Sequence, residues 1–399
     1  MKISVYMVDF ACKYGGAEAY TAALIESLQK TFVDSEIELI TEFYKGNEKL
    51  SPVKLAEMQN MEYGTDIRSS NFNVSYLNFK KIDENSEKNK LVRIFKVIEK
   101  ELLAIKRFNF INKKTKKSDL FINASFKILG GRAKKNLCIV HFPYLPCVNS
   151  GINKRLFYFK KQAQKRDQAY KSYDLYLPNS DFTSTYLKKY WQIPINRIKT
   201  LYPPVNLVSQ IQTKIKGQIL ICSRIDRSKK IDLLIKAFLS SKYLSENASL
   251  LVAGSALGED QNFVNQLKKS GDKVRFVFDP SRSELEKIYA ESQIFWHAKG
   301  LDSEDPFESE HFGITTVEAM SAGCVPLVIN KGGQTEIVSD DCGFRWNTIE
   351  ELVNKTEELL KDYKKIQILK ENCIKRSQVF SFSHFSRLFY SVVSEAVNA

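Results

Sequence analysis

Apolar runs of four to seven residues, each followed by a stretch with helical spacing, recur along most of the chain. Strands buried on both faces read as continuous apolar runs, and parallel neighbours need a crossover between them. The alternation therefore predicts parallel sheets covered by helices, an α/β fold. In the first half strands are expected at Ile3–Asp9, Glu36–Thr41, Leu120–Ala124, Leu137–His141 and Leu175–Pro178; in the second, at Gln218–Arg224, Ser249–Gly254, Val274–Phe278, Ile294–His297 and Val325–Ile329. Each half can build its own sheet, and 399 residues suffice for two cores.

Between the halves, Pro203-Pro204 can continue neither a helix nor a central strand, and polar residues lead into a new apolar run. A linker is expected at 203–217, giving domains 1–203 and 217–380. Residues 381–399 place Phe385, Leu388, Phe389, Val392 and Val393 on one helical face, suited to packing back on the first domain. The stretch Leu91–Ile105 has a similar stripe (Leu91, Ile94, Phe95, Ile98, Leu102, Ile105) ringed by Lys and Arg. It fits a surface helix on the first sheet, a membrane-contacting face being the alternative.

No run approaches the ~18 apolar residues of a membrane span, and Asp9 interrupts the N-terminal apolar stretch, which reads as a first strand rather than a signal segment. The seven cysteines are scattered and form no C-x-x-C pair, as expected of reduced thiols in a cytoplasmic protein. The net charge of +14 is concentrated between Lys80 and Lys171, where Lys and Arg outnumber Asp and Glu about threefold. Such a surface suits nucleic acid, anionic lipid or phosphate-bearing ligands, and composition does not choose among them.

Three segments carry chemistry. Gly15-Gly16 stand between the first strand and a helix beginning near Ala17, where backbone can approach a ligand closely and amides face an anion. Arg224 and Lys229 stand five residues apart in a loop after a strand of the second half, and two cations there can hold a diphosphate. Glu310 precedes a short helix starting near Gly313, and Glu318 lies inside it. Glu310 would suit the helix dipole in any fold, but a buried Glu318 needs hydrogen-bonding partners, which sugar hydroxyls would supply.

Taken together, Glu310-x7-Glu318 in "EHFGITTVEAMSAGCVPLV", Arg224-x4-Lys229, "GGAE" at Gly15–Glu18 and Asn179-Ser180 resemble the family 4 retaining glycosyltransferases of the GT-B fold. The resemblance runs from the first strand to about Val338. It implies two Rossmann-like domains with parallel sheets facing across a cleft, the N-terminal one on the acceptor side and the C-terminal one binding a nucleotide sugar. It further implies that Glu318 binds the ribose hydroxyls and Glu310 the donor sugar, with Phe312, Gly313 and Ile314 in the same donor segment. Arg224 and Lys229 would neutralise the diphosphate, the amides at Gly15 and Gly16 would approach it, and His141 would lie beside the reacting sugar. Transfer would retain configuration through an oxocarbenium-like state, without a side-chain nucleophile and without a metal or other cofactor.

The implied donor is GDP-mannose or a UDP-sugar and the implied acceptor a saccharide or a polyprenyl- or other lipid-linked glycan. The basic first half would face an anionic membrane, placing the enzyme in the cytoplasm or peripherally on the inner face of the plasma membrane. The chain departs from the family pattern where Lys230 replaces the usual glycine after the diphosphate lysine. It also has extra acids ahead of Glu310, with His297, Lys299 and Gly300 expected in the same cleft. The rival readings are a basic nucleic-acid-binding protein, for which no RNP, KH or zinc-finger pattern is found, and a GT-B phosphorylase or epimerase relative.

Overall fold

Twelve strands form two six-stranded sheets. The first holds β1 (Lys2–Tyr6), β2 (Glu36–Tyr44), β3 (Phe72–Phe79), β4 (Leu120–Asn123), β5 (Lys135–Val140) and β6 (Leu175–Pro178) in the order β3-β2-β1-β4-β5-β6. The second holds β7 (Gln218–Cys222), β8 (Ser249–Gly254), β9 (Val274–Phe278), β10 (Ile294–His297), β11 (Val325–Ile329) and β12 (Phe344–Trp346) in the order β12-β11-β10-β7-β8-β9. All pairings are parallel. Each sheet thus has the doubly wound order of a Rossmann fold, with its switch point between β1 and β4 in one and between β7 and β10 in the other. This computed structural model describes residues 1–8, 10, 16–44, 49–79, 90–127, 129–144, 168–208, 213–256 and 261–398, the side chains of 43–44, 79, 90–97 and 101 aside.

All ten expected strands are present, and β3 and β12, at the sheet edges, were not expected. The first compact unit comprises residues 1–179, 183–201 and 386–399, and the second 180–182 and 202–385. The linker expected at 203–217 is corrected over its described residues up to 208. Val205 and Val208 are buried, Val205 N donates to Phe380 O, and Val208 N donates to Ser321 Oγ. The two prolines do stop regular structure, but the apolar residues after them are recruited into the second unit's core. Residues 386–398 belong to the first unit, where Phe389 and Val393 are fully buried and Lys199 pairs with Glu395.

The helix Lys90–Thr115 forms as its spacing predicts, but the apolar stripe is only partly buried. Ile105 and Ile111 enter the core whereas Leu102 is 52% exposed; the side chains of Leu91, Ile94 and Phe95 lie outside the described residues. Among the described residues no helix is long and apolar enough to cross a membrane. Five cysteines (Cys138, Cys222, Cys324, Cys342, Cys373) are buried free thiols.

Candidate functional site

In the second unit, β7 and β10 flank the switch point, where the carboxyl ends of neighbouring strands open a crevice. The chain leaving β7 carries Arg224 and Lys229. Asp226 caps the short 3₁₀ turn Arg227–Lys229 by accepting from Ser228 N at 2.8 Å. Lys230 then takes a left-handed conformation (φ 56°, ψ 31°) before the helix Ile231–Ser240 begins. That backbone is the physical content of the departure noted above: a position suited to glycine holds a lysine instead. Lys230→Gly is therefore expected to raise unfolding stability by about 0.5–1 kcal/mol, measured in urea; a loss of stability would show that the lysine side chain contributes more than its backbone costs.

The turn delivers the Lys229 ammonium to Glu310, with Nζ 2.6 Å from Oε2. His297, ending β10, approaches the same oxygen at 3.3 Å through Nε2, and Lys299 Nζ lies 3.9 Å from Oε1. Arg224 stays outside this cluster, 62% exposed and 3.6 Å from Asp226. The segment holding Glu310 is fixed from behind by Gly332-Gly333. Gly333 N donates to Glu310 O at 2.8 Å, and a Cβ at Gly332 would stand 2.2 Å from that carbonyl oxygen. Gly313 (φ 131°) caps the helix Ile314–Ser321, and a Cβ there would meet Gln334 Nε2 at 2.5 Å.

Burial by itself would push the Glu310 carboxyl up. Lys229, the hydrogen bond from His297 and the charge of Lys299 outweigh it and hold Glu310 well below the ordinary carboxylate range. Burial is the main cause holding the His297 imidazole below its usual value, only partly countered by Glu310, so at neutral pH the ring is uncharged. A carboxylate depressed on folding stabilises above its unfolded pKa, and that stability is lost as pH falls through the folded value. Wild type is thus expected to exceed Glu310→Gln by about 1–3 kcal/mol at pH 6, the gap narrowing below about pH 4. Urea unfolding at several pH values measures this, and a gap constant to pH 2 would count against the ion-pair cluster.

Glu318 occupies a separate place. Its carboxylate, 8% exposed, meets Arg282 Nη1 through Oε1 at 2.5 Å and accepts from the Tyr289 hydroxyl through Oε2 at 3.0 Å. Both partners come from the helix Arg282–Glu291, which opens with a capping box of Ser281 and Glu284. The two glutamates therefore head different clusters rather than one acid pair. Phe312, expected in the donor segment, turns its side chain into the core. Its ring is 4% exposed and packs against Tyr202 and Phe380, with centroids at 5.8 and 5.5 Å, leaving only its main chain for a ligand. Ile314, the first helical residue, is half-buried against the same cluster.

His141 and Gly16 belong to the first unit, and Gly15 lies outside the described residues. Gly16 opens the helix Gly16–Thr31 and is exposed. His141 Nε2 lies 2.8 Å from Ala124 O; a carbonyl only accepts, so Nε2 carries the proton and Nδ1 is left as the acceptor. Its ring stands edge-on to Tyr20 at 5.9 Å, and burial keeps it below its usual pKa.

Arg282, Tyr289 and the pair Gly332-Gly333 were not singled out from the sequence. The glycine dipeptide after β11 was a usable signal; Arg282 and Tyr289, seven apart on one helix face, had none without the distant Glu318. Buried polar atoms lacking a protein partner also gather here. Of eight such side-chain atoms among the described residues, four are His297 Nδ1, Thr316 Oγ1 and the Nε2 and Oε1 of Gln334.

Residues 209–376 match the family described as Glycosyl transferases group 1. A GDP-Man:Man(3)GlcNAc(2)-PP-Dol alpha-1,2-mannosyltransferase of Dictyostelium discoideum is 26% identical over 248 residues, 56% of this chain and 48% of the relative. An alpha-1,3/1,6-mannosyltransferase, ALG2, of Rhizomucor pusillus is 25% identical over 206 residues, 42% of this chain and 45% of the relative. The chain thus spans less than half the length of these curated relatives. Among solved structures, Anabaena HepE in complex with UDP-glucose superposes with a TM-score of 0.63 at 17% identity, covering 99% of this chain and 100% of its own. Sucrose-phosphate synthase of Thermosynechococcus elongatus gives 0.67 at 16% identity, covering 99% and 98%. These likenesses establish a GT-B fold of two Rossmann-like parts, and the likeness to the group 1 glycosyl transferases lies in residues 209–376 of this chain.

Proposed function

We propose that this protein is a retaining hexosyltransferase that moves a sugar from a nucleoside-diphosphate donor, GDP-mannose in the first place, to a saccharide or lipid-linked glycan acceptor. The observation that carries the reading is the Lys229–Glu310–His297–Lys299 cluster at the carboxyl ends of β7 and β10. The ammonium of Lys229, with three donors, can keep Glu310 and still meet a phosphate oxygen, with Arg224 exposed five residues earlier. Glu310, ionised and fixed, accepts hydrogen bonds from donor-sugar hydroxyls, while Glu318 accepts those of the ribose. GDP-mannose is preferred to a UDP-sugar because both curated relatives are named as mannosyltransferases, one of them for GDP-Man.

In the reaction the acceptor oxygen forms the new bond to the anomeric carbon on the face from which the diphosphate leaves. The C–O bond to phosphate breaks with its electron pair, and the acceptor proton passes to a phosphate oxygen. Lys229 and Arg224 stabilise the departing charge, the work a divalent cation does elsewhere. Two cations around one carboxylate disfavour a bound metal ion, and activity is expected to survive EDTA. His141, with Nδ1 as its acceptor, is assigned to the reacting sugar, and the amides at Gly16 to the diphosphate. The basic first domain is assigned to an anionic membrane surface bearing the acceptor, on the cytoplasmic side.

The test is a panel of GDP- and UDP-sugars assayed for binding and slow hydrolysis, with Glu310→Ala alongside. GDP-mannose should bind and be hydrolysed, and the variant should lose at least tenfold in hydrolysis. A panel that yields no binding, or a variant equal to wild type, overturns the site. Co-sedimentation with anionic liposomes at low salt but not with oligonucleotides is expected; the reverse favours the nucleic-acid reading.

A further inference from the structure

We propose that Arg282, backed by Tyr289, is the positioning residue that gives the nucleotide site its preference for a ribose with both hydroxyls. The proposal rests on the donor-site reading above, in which Glu318 receives those hydroxyls. A carboxylate 8% exposed must be compensated if it is to stay ionised and act purely as an acceptor. Among the described residues, the one cation within ion-pairing distance of Glu318 is Arg282.

The guanidinium is held on all sides. Its Nε donates to Glu286 at 2.9 Å, its Nη2 to Asn206 O at 3.1 Å and its Nη1 to Glu318. With every nitrogen tied, Arg282 cannot swing toward solvent, and the oxygen it meets is fixed with it. Tyr289 fixes the other oxygen from a fully buried ring, its hydroxyl also 3.1 Å from Cys222 Sγ at the end of β7. The carboxylate offers about four lone-pair sites. Arg282 and Tyr289 take one on each oxygen, leaving one on each, a spacing that matches two vicinal hydroxyls.

Arg282 thus acts through Glu318 without touching the nucleotide. Without it, Glu318 loses the partner that fixes Oε1 and is free to turn toward solvent, where it ceases to be a paired acceptor. The loss then falls on the hydroxyls alone, and the base and diphosphate keep their own contacts.

The experiment is calorimetric binding of GDP and UDP, and of their 2′,3′-dideoxy counterparts, to the full chain as wild type, Arg282→Met and Tyr289→Phe. Wild type is expected to prefer the ribonucleotide by about 10–100-fold. Arg282→Met should cut that preference to about threefold or less while leaving the dideoxy affinity unchanged. Tyr289→Phe, which removes one oxygen, should lower the preference about three- to tenfold and serves as the test if Arg282→Met does not fold. An unchanged preference in the folded variants, or equal losses for ribo- and dideoxynucleotides, overturns the positioning role; equal losses would mean that Arg282 touches base or phosphate. A wild type that binds none of the four nucleotides overturns the donor-site reading itself, and the role of Arg282 with it.

Discussion

Lys229→Ala is expected to reduce sugar transfer by about 10²–10³-fold, with the fold intact. The size follows from two effects of the same ammonium. In the proposed reaction it lies beside the bond that breaks, so its charge grows in value as the diphosphate departs. It is also the nearest cation to Glu310, at 2.6 Å, and without it that buried carboxylate keeps only His297 and the more distant Lys299. Transfer kinetics and donor binding measured together separate these. If the loss lies in kcat, leaving-group stabilisation dominates; if it lies in donor affinity, the misplacement of Glu310 does. Activity within threefold of wild type would remove Lys229 from the mechanism.

Phe312→Ala is expected to destabilise the second unit by about 3–4 kcal/mol. The ring fills a cluster with Tyr202, Phe380, Val317, Met320 and Ile337, and no polar group waits to occupy the hole. Phe312 is two residues from Glu310 and one from the Gly313 cap, so the same substitution should loosen the donor segment and weaken nucleotide binding. Phe312→Leu, which keeps most of the volume, should restore both. Denaturant unfolding and nucleotide titration of the two variants check this. Normal stability in Phe312→Ala would mean that the ring contributes little to this cluster.

The contrast between Phe312 and Glu310 shows where sequence reading is strong. Arg224, Lys229 and Glu310 stood out through their joint spacing, since each alone would suit a solvated loop or helix end; an aromatic ring two residues after Glu310 suits either core or ligand, and the pattern cannot say which. Central strands were legible because both faces are apolar, and Ser249–Gly254 and Val325–Ile329 fall where expected. The edge strands β3 and β12 were not. Phe72–Phe79 alternates with Asn73, Ser75 and Asn78, and Phe344–Trp346 is three residues long around an arginine. The linker failed for a related reason, since Pro203-Pro204 reports only on backbone geometry and says nothing of where Val205 and Val208 will be buried. Arg282 was out of reach because its meaning lies in a partner 36 positions away.

The inclusion of residues 386–398 in the first unit sets the order in which the molecule can be made. Domains generally fold as they leave the ribosome, N-terminal part first. Here Phe389 and Val393 complete a core whose sheet was synthesised some 200 residues earlier. The first unit must wait, incompletely closed, while the whole of the second is translated. The nascent chain is therefore most open to proteases and chaperones in its basic half, and a stop codon shortly before residue 386 should harm the part of the protein made first.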